Sequence, residues 1–153
     1  MKLPVDTLTA SPAETEALGG ALAELLRDTR ELPRFVALYG DLGVGKTAFV
    51  RGFTGALAPA ARVKSPTFAL VHEYPAMPAP VFHFDMYRIT DDDELYSTGF
   101  YDYFRRDGFM LIEWSENIPF ALPDRYIRVD ISKTAATPDE RRVVIQLITG
   151  LTR

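Results

Sequence analysis

The eight residues Gly40-Asp41-Leu42-Gly43-Val44-Gly45-Lys46-Thr47 constrain this chain more than any other stretch, because they match G-x-x-x-x-G-K-[ST] in full. Such a loop works in one setting, after a strand and before a helix. The flanks supply it. Phe35 to Tyr39 is an apolar run too brief for a helix and bounded by Pro33 and Gly40, so it reads as a buried strand, and Lys46 to Leu57 reads as the helix that follows. Glycines permit the tight turn and the close backbone approach, so that several N–H groups and the positive helix end converge on phosphate oxygens. Gly40, Asp41, Leu42, Gly43, Val44, Gly45, Lys46 and Thr47 are therefore the nucleotide-binding candidates. Lys46 is expected to reach the β- and γ-phosphates, and Thr47 to place its hydroxyl on a Mg2+ that bridges them.

A P-loop alone binds nucleotide; hydrolysis also needs carboxylates near the metal and the attacking water. Two further apolar runs end in an acid: Val81-Phe82-His83-Phe84 stops at Asp85, and Phe109-Met110-Leu111-Ile112 stops at Glu113. In an open α/β sheet ligands sit outside the carboxyl ends of the parallel strands, so the P-loop, Asp85 and Glu113 are expected to converge on one site. Spacing does not decide which acid takes the metal and which positions water.

The rest of the chain completes an α/β pattern. Ser11-Pro12-Ala13-Glu14 reads as a capping box with Pro at the first helical position, opening an amphipathic helix that ends near Thr29. Asp91-Asp92-Asp93-Glu94 follows Thr90, an N-cap candidate, and opens a helix through about Phe104; these acids read as a solvated first turn favoured by the helix dipole. Tyr126 to Ile131 and Arg142 to Ile148 alternate as two strands, an antiparallel pair at a sheet edge. The expected fold is a single small P-loop NTPase domain over residues 1–153, with a mainly parallel sheet flanked by helices and antiparallel edge strands at the C-terminus.

Composition narrows the function classes. With 153 residues, 47% hydrophobic and no Cys, the chain can bury a core without disulfides, and thiol-nucleophile and zinc-finger readings fall away. Lys and Arg total 17 against 21 Asp and Glu, a formal charge of −4, the wrong sign for holding nucleic acid directly. No apolar run approaches 18 residues and Met1 to Ser11 carries no targeting pattern, so a cytoplasmic protein without membrane contact is expected. His72 and His83 read as half-buried histidines, Arg88 as a transition-state cation or a loop-holding salt bridge, and Trp114 as a core or rim residue. Ser65-Pro66-Thr67-Phe68 reads as a Pro-anchored turn, placed where nucleotide hydrolases carry a loop that senses the γ-phosphate.

The order GDLGVGKT, SPTF, HFDMYR and IEW in so short a chain resembles the bacterial TsaE family, small ATPases of tRNA threonylcarbamoyladenosine biosynthesis. The resemblance covers about residues 11–130. It implies that Gly43 to Thr47 hold the phosphates of ATP, that Thr47 and Glu113 ligate Mg2+, and that Asp85 serves hydrolysis. It implicates Ser65 and Thr67 as a switch-like loop, and places Ser11 and Thr15 near adenine. Arg141 and Arg142, where the match fades, are the cations that could approach the nucleotide. The implied partners are a threonylcarbamoyl transferase and its paralogous subunit, with tRNA met only through them. A small-molecule or nucleoside kinase is the alternative reading, disfavoured by the lack of sequence for a lid. A GTPase is disfavoured because Asp85-Met86-Tyr87-Arg88 stands where D-x-x-G would follow the strand Val81 to Phe84 and no N-K-x-D is present, and a dead binding module would more naturally have lost Lys46, Thr47 or one acid.

Overall fold

A computed structural model describes residues 1–64 and 70–150. Thirteen elements follow in the order β1 (Val5–Thr9), α1 (Pro12–Asp28), β2 (Phe35–Tyr39), α2 (Lys46–Leu57), β3 (Val71–Tyr74), β4 (Val81–Asp85), α3 (Asp92–Ser97), α4 (Phe100–Arg105) and β5 (Phe109–Glu113), then two 3-10 turns (Ser115–Asn117 and Pro119–Ala121), β6 (Arg125–Lys133) and β7 (Arg141–Thr149). The seven strands form one sheet in the order β1-β7-β6-β2-β5-β4-β3. Strands β6, β2, β5 and β4 run parallel; β7 and β3 join antiparallel, and β1 pairs antiparallel with β7. A parallel centre with antiparallel additions is the architecture expected from the sequence.

Side-chain alternation along the strands divides the interior into two cores. Val36, Leu38, Val81, Phe109, Leu111, Ile127, Val129, Val143 and Ile145 face α1 and α2, meeting Leu22, Leu26, Phe49 and Phe53. Phe35, Ala37, Phe82, Phe84, Met110 and Ile112 face the opposite way, towards Leu95 of α3 and Phe100 of α4. With both faces covered, the central strands can be apolar throughout, which is why β2, β4 and β5 are continuous hydrophobic runs.

Helix α1 starts as expected: Ser11 Oγ accepts from Glu14 N at 3.2 Å, while Glu14 Oε1 accepts from Ala10 N at 3.0 Å. Helices α1 and α2 cross so closely that a Cβ on Gly52 would stand 1.7 Å from the Glu16 carbonyl oxygen, so only glycine fits there. Three features depart from expectation. Strand β1, rich in polar residues, has no strand-like apolar pattern and forms because β7 offers it an unpaired edge. Strand β3 is likewise an addition to β4. The helix expected from Thr90 to Phe104 is two helices, divided at Gly99 in the left-handed region (φ +82°), and the cap is Asp91, whose carboxylate accepts from Glu94 N at 2.8 Å. Acids 91–94 are exposed and occupy that cap and first turn.

Candidate nucleotide-binding site

Residues Gly40 to Gly45 link the end of β2 to the start of α2, so that the loop wraps the N-terminus of a helix rooted in the core by Phe49, Val50 and Phe53. Gly45 takes φ +106°, a conformation that side chains rarely adopt, and this turns the chain into the helix. Val44 is buried among the aliphatic residues and anchors the loop from below. Asp41, Leu42 and Gly43 stand in solvent. A cleft of about 860 Å3 opens beside Gly40 to Leu42, walled by Glu116 and by Arg128, Asp130 and Ser132 of β6.

The three strand ends do converge. Asp85 and Glu113 are direct partners across the parallel pair β4 and β5, and β5 lies next to β2, which delivers the P-loop. Because His83 and Asp85 are two apart on one strand they project to the same face, the face that carries α2. There His83 Nε2 and Glu113 Oε2 are hydrogen-bonded at 2.5 Å, with His83 fully buried and Glu113 5% exposed. One oxygen of Glu113 is thereby held and its carboxylate plane is set. Asp85 Oδ1 accepts from Tyr87 N at 2.9 Å. Burial pushes the Asp85 carboxyl above its ordinary range, against that backbone bond, which pulls it down; Glu113 adds to the rise, and His83 and Lys46 oppose it.

Lys46 is 5% exposed. Its ammonium donates to Gly40 O at 2.6 Å and sits 3.6 Å from the centre of the Trp114 ring, a cation–π contact. Burial lowers its pKa, and the carboxylates of Glu116, Glu113, Asp85 and Asp41 pull it back up. Four acids thus oppose, without cancelling, the effect of burial on this cation. Thr47 follows in the first turn of α2. Among the described residues no three His, Asp or Glu side chains are gathered to hold a metal by themselves.

Several participants carried no motif signal. His83 lay in an apolar run and read as an ordinary histidine; the two-residue spacing to Asp85 was the available clue. The turn after β5 joins three site elements: Glu116 Oε2 accepts from Gly40 N at 3.3 Å, Asn117 Nδ2 donates to Met86 O and Tyr87 O at 2.9 and 3.1 Å, and Trp114, with a left-handed backbone (φ +60°), packs its ring against Tyr87, centres 5.0 Å apart and planes tilted by 58°. The Trp114 indole is therefore part of the site and not merely of the core rim. Arg88 is exposed, and among the described residues no ion pair involves it.

At the other side of the loop, Thr15 packs against Gly45, where a Cβ would come within 3.9 Å of its methyl, and its hydroxyl is hydrogen-bonded to Thr9 at 2.7 Å. Ser11 uses its hydroxyl as the α1 cap. Of the two C-terminal arginines, Arg141 meets the P-loop, donating from Nε to Val44 O at 2.8 Å, whereas Arg142 pairs with Asp6 of β1. Ser65 and Thr67 lie outside the described residues.

A parallel-centred sheet whose P-loop joins β2 to α2, with two acids at adjoining strand ends, defines a small P-loop NTPase domain. The family model for threonylcarbamoyl adenosine biosynthesis protein TsaE matches residues 9–143, and the chain belongs to that family. A tRNA threonylcarbamoyladenosine biosynthesis protein TsaE from Haemophilus influenzae is 44% identical over 107 residues, which is 70% of this chain and 68% of the relative. One from Bacillus subtilis is 34% identical over 140 residues, 92% of this chain and 84% of that one. The crystal structure of Bacillus subtilis YdiB superposes with a TM-score of 0.75 at 29% identity, covering 99% of this chain and 90% of that one. The family places the chain in tRNA threonylcarbamoyladenosine biosynthesis. No described helix is long and apolar enough to cross a membrane.

Proposed function

We propose that this chain is a Mg2+-dependent ATP hydrolase that serves tRNA threonylcarbamoyladenosine biosynthesis as an accessory subunit, in complex with the threonylcarbamoyl transferase and its paralogous partner. The observation that carries the reading is the pairing of Asp85 with Glu113 across β4 and β5, at the strand end that also bears the P-loop. The backbone of Gly43 to Thr47 receives the phosphates, and Lys46 leaves its carbonyl partner for the β- and γ-oxygens. Thr47 and the Glu113 oxygen not engaged by His83 would hold Mg2+, which neutralises charge on the phosphates when bound. Asp85 is the base: a carboxyl raised by burial takes a proton from water more readily than one in solvent. Ser11 and Thr15, at the start of the helix that packs on Gly45, are assigned to the adenine side, and Ser65 and Thr67 to sensing the γ-phosphate. The net charge of −4 leaves tRNA to the partner, and a cytoplasmic setting follows from that substrate.

The test is ATP turnover by the wild type, Lys46→Ala and Glu113→Ala, with and without the purified transferase and its partner. Stimulation by those proteins is expected, abolished by either substitution, with Glu113→Ala retaining nucleotide and Lys46→Ala losing it. Nucleotide affinity unchanged in Lys46→Ala would overturn the P-loop assignment. A rate indifferent to the partners but raised by a small hydroxyl compound that becomes phosphorylated would replace it with a kinase.

A further inference from the structure

Two adjacent arginines begin β7, and they do different things. Arg142 is exposed and makes a two-pronged ion pair with Asp6, holding β1 on the sheet. Arg141 is half-buried and, among the described residues, its guanidinium bonds to carbonyls alone: Nε donates to Val44 O at 2.8 Å, and Nη1 to Pro138 O and Glu140 O at 2.7 and 2.9 Å. The two bonds to its own turn hold the guanidinium still, and the backbone of Arg141 is fixed between Thr9 of β1 and Lys133 of β6. What this rigid donor grips is the P-loop, 97 positions earlier in the chain.

The atom it grips matters. The Val44 carbonyl belongs to the same peptide unit as the Gly45 N–H, and that unit is planar and trans, so the two groups point in opposite directions. A donor fixed on the oxygen therefore fixes the direction of the N–H and turns it away from Arg141. It also polarises the unit, since hydrogen bonds in a chain strengthen one another. Gly45, at φ +106°, has more rotational freedom than any other residue type would, and so has most to gain from an external brace.

We infer that Arg141 is a positioning residue for phosphate binding: from β7 it sets the Val44–Gly45 peptide so that the Gly45 N–H is aimed and polarised towards a bound phosphate. The inference rests on the reading of Gly43 to Thr47 as a phosphate cradle. It also gives β6, β7 and β1, which carry no catalytic group, a direct part in the site.

The experiment measures ADP affinity by calorimetry, together with the Gly45 amide resonance, in the wild type, Arg141→Met, Arg141→Gln, Arg142→Ala and Lys46→Ala. Methionine keeps bulk and loses every donor; glutamine loses the charge and keeps an N–H for Val44 O. Arg141→Met is expected to weaken ADP about tenfold, the loss that fits one hydrogen bond from a charged donor, and to shift the Gly45 amide. Arg141→Gln should stay within about threefold of wild type, with Arg142→Ala unchanged. Should Arg141→Met not fold, Arg141→Ser, whose hydroxyl is too short to reach Val44, takes its place. Glutamine as weak as methionine would show that charge acts rather than the bond to Val44, and wild-type affinity in the donorless variants would show that Arg141 merely ties its own turn; either overturns the inference while leaving the cradle intact. Absence of ADP binding by the wild type, or full binding by Lys46→Ala, would overturn the cradle itself and the inference with it.

Discussion

The two faces of the central sheet are built from different materials. Towards α1 and α2 the core is aliphatic, apart from two facing phenylalanines and Phe109, and it holds the buried polar groups Lys46, Thr54, His83 and Glu113. Towards α3 and α4 it is aromatic: Phe35, Phe82, Phe84, Phe100, Tyr103 and Tyr126 form a chain of edge-to-face contacts, with Phe84 at 5.3 Å from both Phe100 and Tyr103. The buried side-chain polar atoms without a hydrogen-bond partner among the described residues, Thr54 Oγ1 and His83 Nδ1, both lie on the first side. Because β4 alternates, one strand serves both: Phe82 and Phe84 enter the aromatic core while His83 and Asp85 face the P-loop. The difference teaches that stability and chemistry occupy opposite sides of the same five residues. Substitutions on one side should therefore separate from those on the other.

The largest separation is expected at Asp85. Asp85→Asn should lower ATP turnover in the presence of the partner proteins by about 10²- to 10⁴-fold, the usual cost of losing a positioned base, while leaving ADP affinity within a few-fold. Stability should move the other way. Burial holds the Asp85 carboxyl above its ordinary value of 3.8, so the folded state keeps its proton to higher pH than the unfolded state does. Between those two values the folded state binds more protons, stability falls as pH rises, and above the raised value the penalty is complete. The amide never ionises. Thermal melting should therefore show Asp85→Asn melting above wild type at neutral pH, with the gap closing as pH falls through the raised value and gone below about 4. A variant that is both inactive and less stable at pH 7 would show that Asp85 holds the structure rather than the reaction.

At Phe84, one residue earlier, the opposite result is expected. The ring is fully buried, and its removal in Phe84→Ala should cost about 3–5 kcal/mol. Against a total of about 5–15 kcal/mol for a domain this brings the protein close to unfolding. Urea titration would measure the loss, and ADP binding by the fraction that remains folded should match wild type. Weakened binding in the folded fraction would mean that the aromatic core reaches through the sheet to the site.

This arrangement also explains what could be read from the amino-acid order. Strands β2, β4 and β5 were legible because burial on both faces makes them continuous apolar runs, and their terminal Gly40, Asp85 and Glu113 stood out as polar events. Lys46 and Thr47 came with a motif of fixed spacing. Strand β1 was not legible: Val5, Asp6, Thr7, Leu8 and Thr9 lie at an edge, three of them exposed, and pair only because β7 is there. The break at Gly99 was lost inside a helix-like acidic and aromatic stretch. Within the site, the contacts of Glu116 with Gly40 and of Arg141 with Val44 span 76 and 97 positions, and they depend on strand order, which no local pattern states. His83 was hidden for a different reason, since a histidine among phenylalanines has the hydrophobic pattern of core whether or not its ring nitrogen holds a carboxylate.

The smallest expected effect concerns the charges of the aromatic side, and it sharpens the contrast. Arg106 makes a two-pronged pair with Glu73 at 2.9 and 3.0 Å and lies over the rings of Phe82 and Tyr103, at 4.6 and 5.2 Å from their centres. These charges are exposed and mutually paired, where Lys46 and Glu113 are buried, and exposed pairs contribute little because solvent and salt screen them. The hydrogen bond from Arg106 holds the Glu73 carboxyl below its ordinary value of 4.5. For a depressed acid the contribution is present above the unfolded value and is lost as pH falls through the folded one. Glu73→Gln should therefore leave the melting temperature within about 2 °C of wild type at pH 7, remove part of the loss of stability below pH 4.5, and do neither to ADP affinity. In molar salt the wild type should approach the variant, while the stacking of Arg106 on Phe82 persists because it depends on contact with the ring face as well as on charge. A Glu73→Gln variant that bound ADP more weakly would break the division between the faces at its least expected point, by connecting the β3 edge to the P-loop through the sheet.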